Sequence, residues 1–203
     1  VIVPAALSSI LAYSVYSLSL PTELRFVPLF GDQLAVFTMG SPLELLPLAL
    51  LAVVLVAAGA LYVRTFELSH RLFGKLPLPR WMRPALGALA AGGLAATLYA
   101  ATDRAVSLSV LSAGYGALQI ALDSATSLGV GLLLLIAGGK IITTSLTVGS
   151  GGSGGVFGPS MVIGGCIGGA TGIVLQQLWP DVVSSPESYV VLGMAGVFAG
   201  CAN

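Results

Sequence analysis

Between Lys140 and Asp181 the chain carries no charged side chain, yet seven consecutive residues within that stretch, Gly149 to Gly155, are all glycine or serine. The apolar runs on either side are each long enough to enter or cross a bilayer, which takes about 20 residues. In hydrocarbon an unpaired backbone group costs several kcal/mol, so irregular backbone survives there only against protein or beside a water-filled cavity. The stretch therefore predicts a helical membrane protein with a break at depth, and it marks the break as a candidate ion site. A glycine–serine run in a soluble protein is ordinarily a flexible surface loop, but the two flanks argue against that here.

Composition agrees with a membrane class. Of 203 residues 56% are hydrophobic and 8% charged, where soluble domains carry about 25% charged residues. The net charge is zero, so nothing points to nucleic acid or an acidic polymer. The 27 glycines suit helices whose backbones approach closely. Cys166 and Cys201 lie in apolar runs, with neither metal-ligand spacing nor a disulfide pattern, and read as buried free thiols. The start of the chain lacks the features of a cleavable signal peptide.

The expected architecture is all-α and polytopic, with broken and tilted helices forming one partial transmembrane domain over residues 1–203. Spans are predicted at about 1–20, 43–73, 82–101, 127–148, 157–178 and 188–203. The second exceeds a bilayer and turns amphipathic toward Leu72, with Glu67 and Arg71 placed to pair at i, i+4. Gly87, Ala91 and Ala95 form a small-residue stripe on the third. Arg64, Arg71, Lys75, Arg80 and Arg83 flank the connection between the second and third spans, five of the eight basic residues. The positive-inside rule puts that connection in the cytoplasm. The connections at 21–42 and 102–126, with Glu23, Asp32, Asp103 and Asp123, then lie outside. Both chain ends fall within apolar helix, which reads as a piece from the middle of a larger membrane domain.

After the break a helix should start near Pro159, which suits a first helical turn because its missing N–H removes no helical bond. Gly164, Gly168 and Gly172, with Gly165 and Gly169, predict close packing that fixes the start of this helix. The first N–H groups of a helix lack internal partners and carry about half a positive charge. The amides of Gly155, Val156 and Phe157 thus form a candidate anion site without a basic side chain, weak enough to let a conducted ion leave. Gly149, Ser150, Gly151, Ser153, Gly154 and Pro159 support the loop. The spacing Gly149-x-Gly151-x-x-Gly154 matches a dinucleotide fingerprint only formally, since no strand–turn–helix unit surrounds it.

The run Gly154-Gly155-Val156-Phe157-Gly158-Pro159 resembles the GGxFxP signature of the CLC family of voltage-gated chloride channels and chloride/proton antiporters. Gly149-Ser150-Gly151 and Gly164-Gly165 fit the longer pattern. Lys140-Ile141-Ile142-Thr143-Thr144 resembles the basic-x-x-Thr-Thr stretch leading into the loop, Gly114-Tyr115-Gly116 an earlier glycine-rich segment, and Gly193-Met194-Ala195-Gly196 the start of the following helix. The resemblance implies an inverted-repeat membrane domain in a homodimer, each subunit with its own pore. It further implies that Val156 and Phe157 offer amides to a central chloride or similar anion, with protons as second species in an exchanger. The family's gating glutamate, serine and tyrosine anion ligands and internal proton glutamate match nothing in this sequence, and are expected before Val1 or after Asn203.

Other residues read more plainly. His70 beside the basic cluster is an interfacial residue, and Trp81 and Trp179 sit where aromatic belts fall. Tyr115 packs or shapes the vestibule. Lys140 either snorkels to water or biases the vestibule toward anions. Ser150 and Ser153 either make local turn bonds or donate to a passing ion. No enzyme, metal or cofactor site is expected, for lack of a Ser/His/Asp set, ligand cluster or carboxylate pair. Two rival functions are a sodium-coupled organic-anion carrier built on broken helices and a non-transporting scaffold whose glycines serve packing alone.

Overall fold

The computed structural model describes residues 2–19, 21, 42–183 and 185–202. Among them the regular structure is entirely helical. The predicted connection at 21–42, with Glu23 and Asp32, lies almost wholly outside the described residues. The chain forms two compact units, residues 1–36 and 37–203.

The first unit holds α1 (Ile2–Ser19). Three of its serines find acceptors within the helix. Ser14 donates to the Ile10 carbonyl at 2.8 Å, Ser17 to Ser14 at 2.8 Å and Ser19 to Tyr16 at 2.6 Å. Back-bonding of this kind lets hydroxyls sit on an apolar helix without an orphaned donor.

The second unit holds α2 (Leu45–Lys75), α3 (Arg83–Thr102), α4 (Tyr115–Gly149), α5 (Phe157–Leu178) and α6 (Pro186–Ala202). A 3-10 turn over Pro42–Glu44 leads into α2 and another over Ala105–Val110 follows α3. Four helices are long and apolar enough to cross a membrane: Pro42–Lys75, Arg83–Thr102, Tyr115–Gly149 and Phe157–Leu178. With 31 residues, α2 is about 46 Å long, against a hydrocarbon core of about 30 Å. It buries one stripe, Leu51, Leu55, Ala58, Tyr62 and Ser69, toward α4, α5 and α6.

Helical backbone in the fourth apolar region begins at Tyr115, ahead of Ser127, because α4 is two helices joined at a kink. Ser124 is extended (φ −164°, ψ 93°) and Gly129 takes φ 74°, a conformation that costs glycine little. The amide of Ala125, freed by the kink, donates to a Glu187 carboxylate oxygen at 3.2 Å, so α6 ties down the break in α4.

The core is built on glycine contacts. A Cβ on Gly164 would overlap the Gly193 carbonyl, and one on Gly168 the Tyr189 carbonyl. The α5 and α6 backbones therefore touch, and α5 is the most enclosed of the four long helices. On its other side Gly165 and Gly169 accept Leu118 and Leu133 of α4. The stripe Gly87, Ala91, Ala95 is buried on α3, where Gly87 meets the Leu146 carbonyl and the Ser150 side chain. These contacts hold the end of α4 and the beginning of α5 in fixed places.

Candidate functional site

The chain leaves α4 through a tight cap. Ser150 N–H donates to the Leu146 carbonyl at 3.2 Å, Gly151 N–H to Val148 at 3.0 Å and Gly152 N–H to Thr147 at 3.0 Å. The Ser150 hydroxyl adds a bond to the Thr147 carbonyl at 2.9 Å. Gly151 sits at φ 93°, a left-handed conformation open to glycine and costly to other residues. Gly149 lies against Ser69 and the His70 amide of α2. The terminal carbonyls that a helix leaves unsatisfied are thus partly met by its own loop, and Gly149, Ser150 and Gly151 serve this cap.

Beyond it the bonding stops. Among the described residues, the N–H groups from Ser153 to Gly158 donate to no protein acceptor, and the first bond of the new helix runs from Ser160 N–H to the Val156 carbonyl at 3.0 Å. The Ser160 hydroxyl turns back onto the Phe157 carbonyl at 2.7 Å. A run of free amides therefore leads into a 22-residue helix, whose dipole adds to their partial positive charge.

A cavity of about 410 Å³ opens at this run. Ser153, Gly154, Gly155, Gly158 and Pro159 line one side, and Lys140, Thr143, Thr144 and Thr147 of α4 another. Ser112 and Ala113 close the rim, and the Tyr115 ring lies against Gly158. Val156 lines a separate cavity with Tyr62, Val63, Phe66, Gly200 and Cys201. Phe157 is 53% exposed, and its ring packs on Phe198 with centroids 5.4 Å apart. The predicted set is therefore divided: Ser153, Gly154, Gly155 and Pro159 share one cavity, Val156 borders another, and Gly149, Ser150 and Gly151 form the cap.

Lys140 does not snorkel to water. It is 1% exposed, and its ammonium donates to three carbonyls, Ser109 at 3.3 Å, Leu111 at 3.1 Å and Ser112 at 2.5 Å. Thr143 takes the next, donating to Val110 at 2.6 Å. These side chains satisfy the end of the 3-10 turn over Ala105–Val110, which ends at depth without a helical successor. The Arg71–Glu67 ion pair at 3.1 Å is exposed and on another helix, and among the described residues no carboxylate pairs with Lys140. Lys140 thus places a basic side chain in the cavity wall.

The sequence reading missed Thr144, Thr147, Ser112, Ala113 and Gly158 as cavity residues. Lys140, Thr143, Thr144 and Thr147 fall at the three- and four-residue spacing that places side chains on one helix face. That signal was available for the threonines. The contribution of 112–113 was not, because it depends on a contact formed at a distance in sequence.

A helical core packed through glycine, with four helices long and apolar enough to cross a bilayer and a helix start without charged side chains opening on a cavity that Lys140 lines, is that of a polytopic membrane protein. The match over residues 1–203 to the family described as voltage gated chloride channel shows that the chain belongs to that family. It is similar to the H(+)/Cl(-) exchange transporter ClcA of Vibrio cholerae serotype O1 (strain M66-2), 38% identical over 71 residues, covering 35% of this chain and 15% of the relative. It is also similar to ClcA of Yersinia pestis bv. Antiqua (strain Angola), 27% identical over 175 residues, covering 84% of this chain and 35% of the relative. The chain thus spans about a third of the length of that Yersinia relative.

Proposed function

We propose that this chain supplies part of the pathway by which a multi-pass membrane protein moves chloride or a similar small anion, as a channel or a chloride/proton exchanger. The anion is held by the amides of Gly155, Val156 and Phe157, with Gly149, Ser150, Gly151, Ser153, Gly154 and Pro159 shaping the loop that presents them. The observation that carries this reading is that Ser153, Gly154, Gly155 and Gly158, whose N–H groups have no partner among the described residues, line a cavity that Lys140 also lines. Amides aimed at a polar cavity bind an anion without holding it too firmly, while the lysine raises the local potential for anions.

Family membership over the whole of residues 1–203 supports placing all six helices in one membrane domain. The exchange of protons for chloride in the ClcA relatives' names supports protons as the second transported species. The family resemblance supports a homodimer with one pore per subunit.

The test uses the full-length protein in liposomes. Gly155 has open space where a Cβ would stand, so Gly155→Ala adds a methyl at the cavity rim without disturbing the fold. Chloride flux should fall or its chloride dependence shift in Gly155→Ala and in Phe157→Ala. Unchanged flux and unchanged chloride affinity in both would refute the site.

A further inference from the structure

We propose that the groove between the end of α3 and the kink of α4 seats one membrane phospholipid, its phosphate on Arg104 and an acyl chain on the α4 leucines. The groove measures about 580 Å³ and is lined by Thr102, Arg104, Leu128, Gly131, Leu132 and Leu135. None of these residues borders the cavity at Gly155, so the site is separate from the anion pathway and does not rest on it.

The apolar wall follows from the break in α4. Leu128 is buried just before Gly129, where the backbone leaves helical geometry at φ 74°. Leu132 and Leu135 are half-buried on the helix that resumes, and their three-residue spacing puts them on one face. Gly131 keeps the groove open. It lines the wall without a side chain, and a Cβ there would meet nothing within 4 Å.

Arg104 is the observation that points to a headgroup. It is exposed, and among the described residues it pairs with no carboxylate. Its depth also fits. The 20 residues of α3 make a helix about 30 Å long, equal to the hydrocarbon core, so Arg104, two residues past its end, falls at headgroup level. The Thr102 hydroxyl is committed to the Leu98 carbonyl at 2.8 Å, which leaves the guanidinium as the charged group of the lining. A guanidinium presents paired N–H donors that match a phosphate, while the leucines cover an acyl chain. The groove of about 420 Å³ between α2 and α6 has no charged residue in its lining and offers no such anchor. Asp103, exposed beside Arg104, balances the charge of the rim. That favours a zwitterionic headgroup such as phosphoethanolamine over an anionic one.

The experiment is native mass spectrometry of the full-length protein, delipidated in detergent and titrated with palmitoyl-oleoyl-phosphatidylethanolamine. The parent should retain one lipid per subunit more than either of two variants. Arg104→Gln, an exposed change, should weaken that lipid on the order of tenfold, the effect of losing a charge-assisted hydrogen bond. Gly131→Leu should fill the groove and abolish its binding. Palmitoyl-oleoyl-glycerol, with the same chains and no phosphate, should bind the parent about as weakly as the phospholipid binds Arg104→Gln. Equal lipid retention by the parent and both variants would overturn the site, as when another segment of the full-length protein covers the leucines. Equal binding of the phospholipid and the diglyceride to the parent would overturn it too, since Arg104 would then read no phosphate. Chloride flux is not the readout, so failure here leaves the anion pathway standing, and failure of that pathway leaves this site standing.

Discussion

A lysine ammonium at membrane depth is tolerable when each proton has an acceptor, and Lys140 meets that condition with three carbonyls of the segment from Ser109 to Ser112. It joins two tasks, holding the turn and charging the cavity, and substitutions separate them. Lys140→Met removes both. It orphans buried carbonyls at about 1–3 kcal/mol each and removes a charge worth at least about 1 kcal/mol to a nearby anion. Thermal unfolding in detergent should fall by several degrees and the chloride concentration for half-maximal flux should rise several-fold. Lys140→Arg keeps the charge and should hold the chloride dependence near that of the parent. Equal chloride dependence in Met and Arg variants would remove the electrostatic role. Gly151 gives a contrast at the same scale. Space is open around it, but its φ of 93° makes Gly151→Ala cost about 1–2 kcal/mol, read as a lowered unfolding temperature, whereas Gly155→Ala should leave that temperature unchanged.

At the scale of elements, α5 is fixed by contacts that leave no room for a methyl group. In Gly168→Ala the new Cβ would overlap the Tyr189 carbonyl, which belongs to the α6 backbone and has no rotamer to yield. Overpacking in a tight core costs about 1–3 kcal/mol and sometimes more, so this variant should lose folded protein in detergent-based size-exclusion profiles. Gly92→Ala, with open space around it, should not. The Glu187 bond to Ala125 is smaller in effect. Glu187→Ala leaves the kink amide unpaired and should lower stability by about 1–3 kcal/mol, measured by the same unfolding scans. The bounds of α5 were legible because a glycine–serine break, Pro159 and a glycine period all point to one start. The kink in α4 was not legible, since Ser124 and Gly129 look like ordinary residues of an apolar run and the carboxylate that caps the kink is 62 residues away. Of the two readings of Lys140, snorkelling or biasing the vestibule, the sequence could not choose for the same reason, as its acceptors lie 28 to 31 residues back in the chain.

At the scale of the molecule, the question is which way these helices run through the bilayer. A helix of about 46 Å cannot lie wholly in a hydrocarbon core of about 30 Å without steep tilt, so one end of α2 reaches water. The end near Lys75 is the fitting one: Arg64, Arg71 and Lys75 lie along it, and Arg80 and Arg83 follow in the turn. Arg83 is not free charge alone, because it donates to the Leu76 and Leu78 carbonyls at 3.2 Å each and so holds the short turn between α2 and α3 in shape. Trp81, 78% exposed, is set there as interfacial aromatics are. Basic residues beside short connections stay on the cytoplasmic side, which predicts that the Lys75–Arg83 turn is cytoplasmic. Arg104, after the 20-residue α3, then falls on the far side. Impermeant maleimide labelling of full-length protein in intact cells reads this out, once Cys166 and Cys201 and any other native cysteine are replaced. A cysteine at Arg80 should react only after permeabilisation and one at Arg104 before it. The opposite pattern would invert the membrane topology while leaving the packing of α2 to α6 untouched.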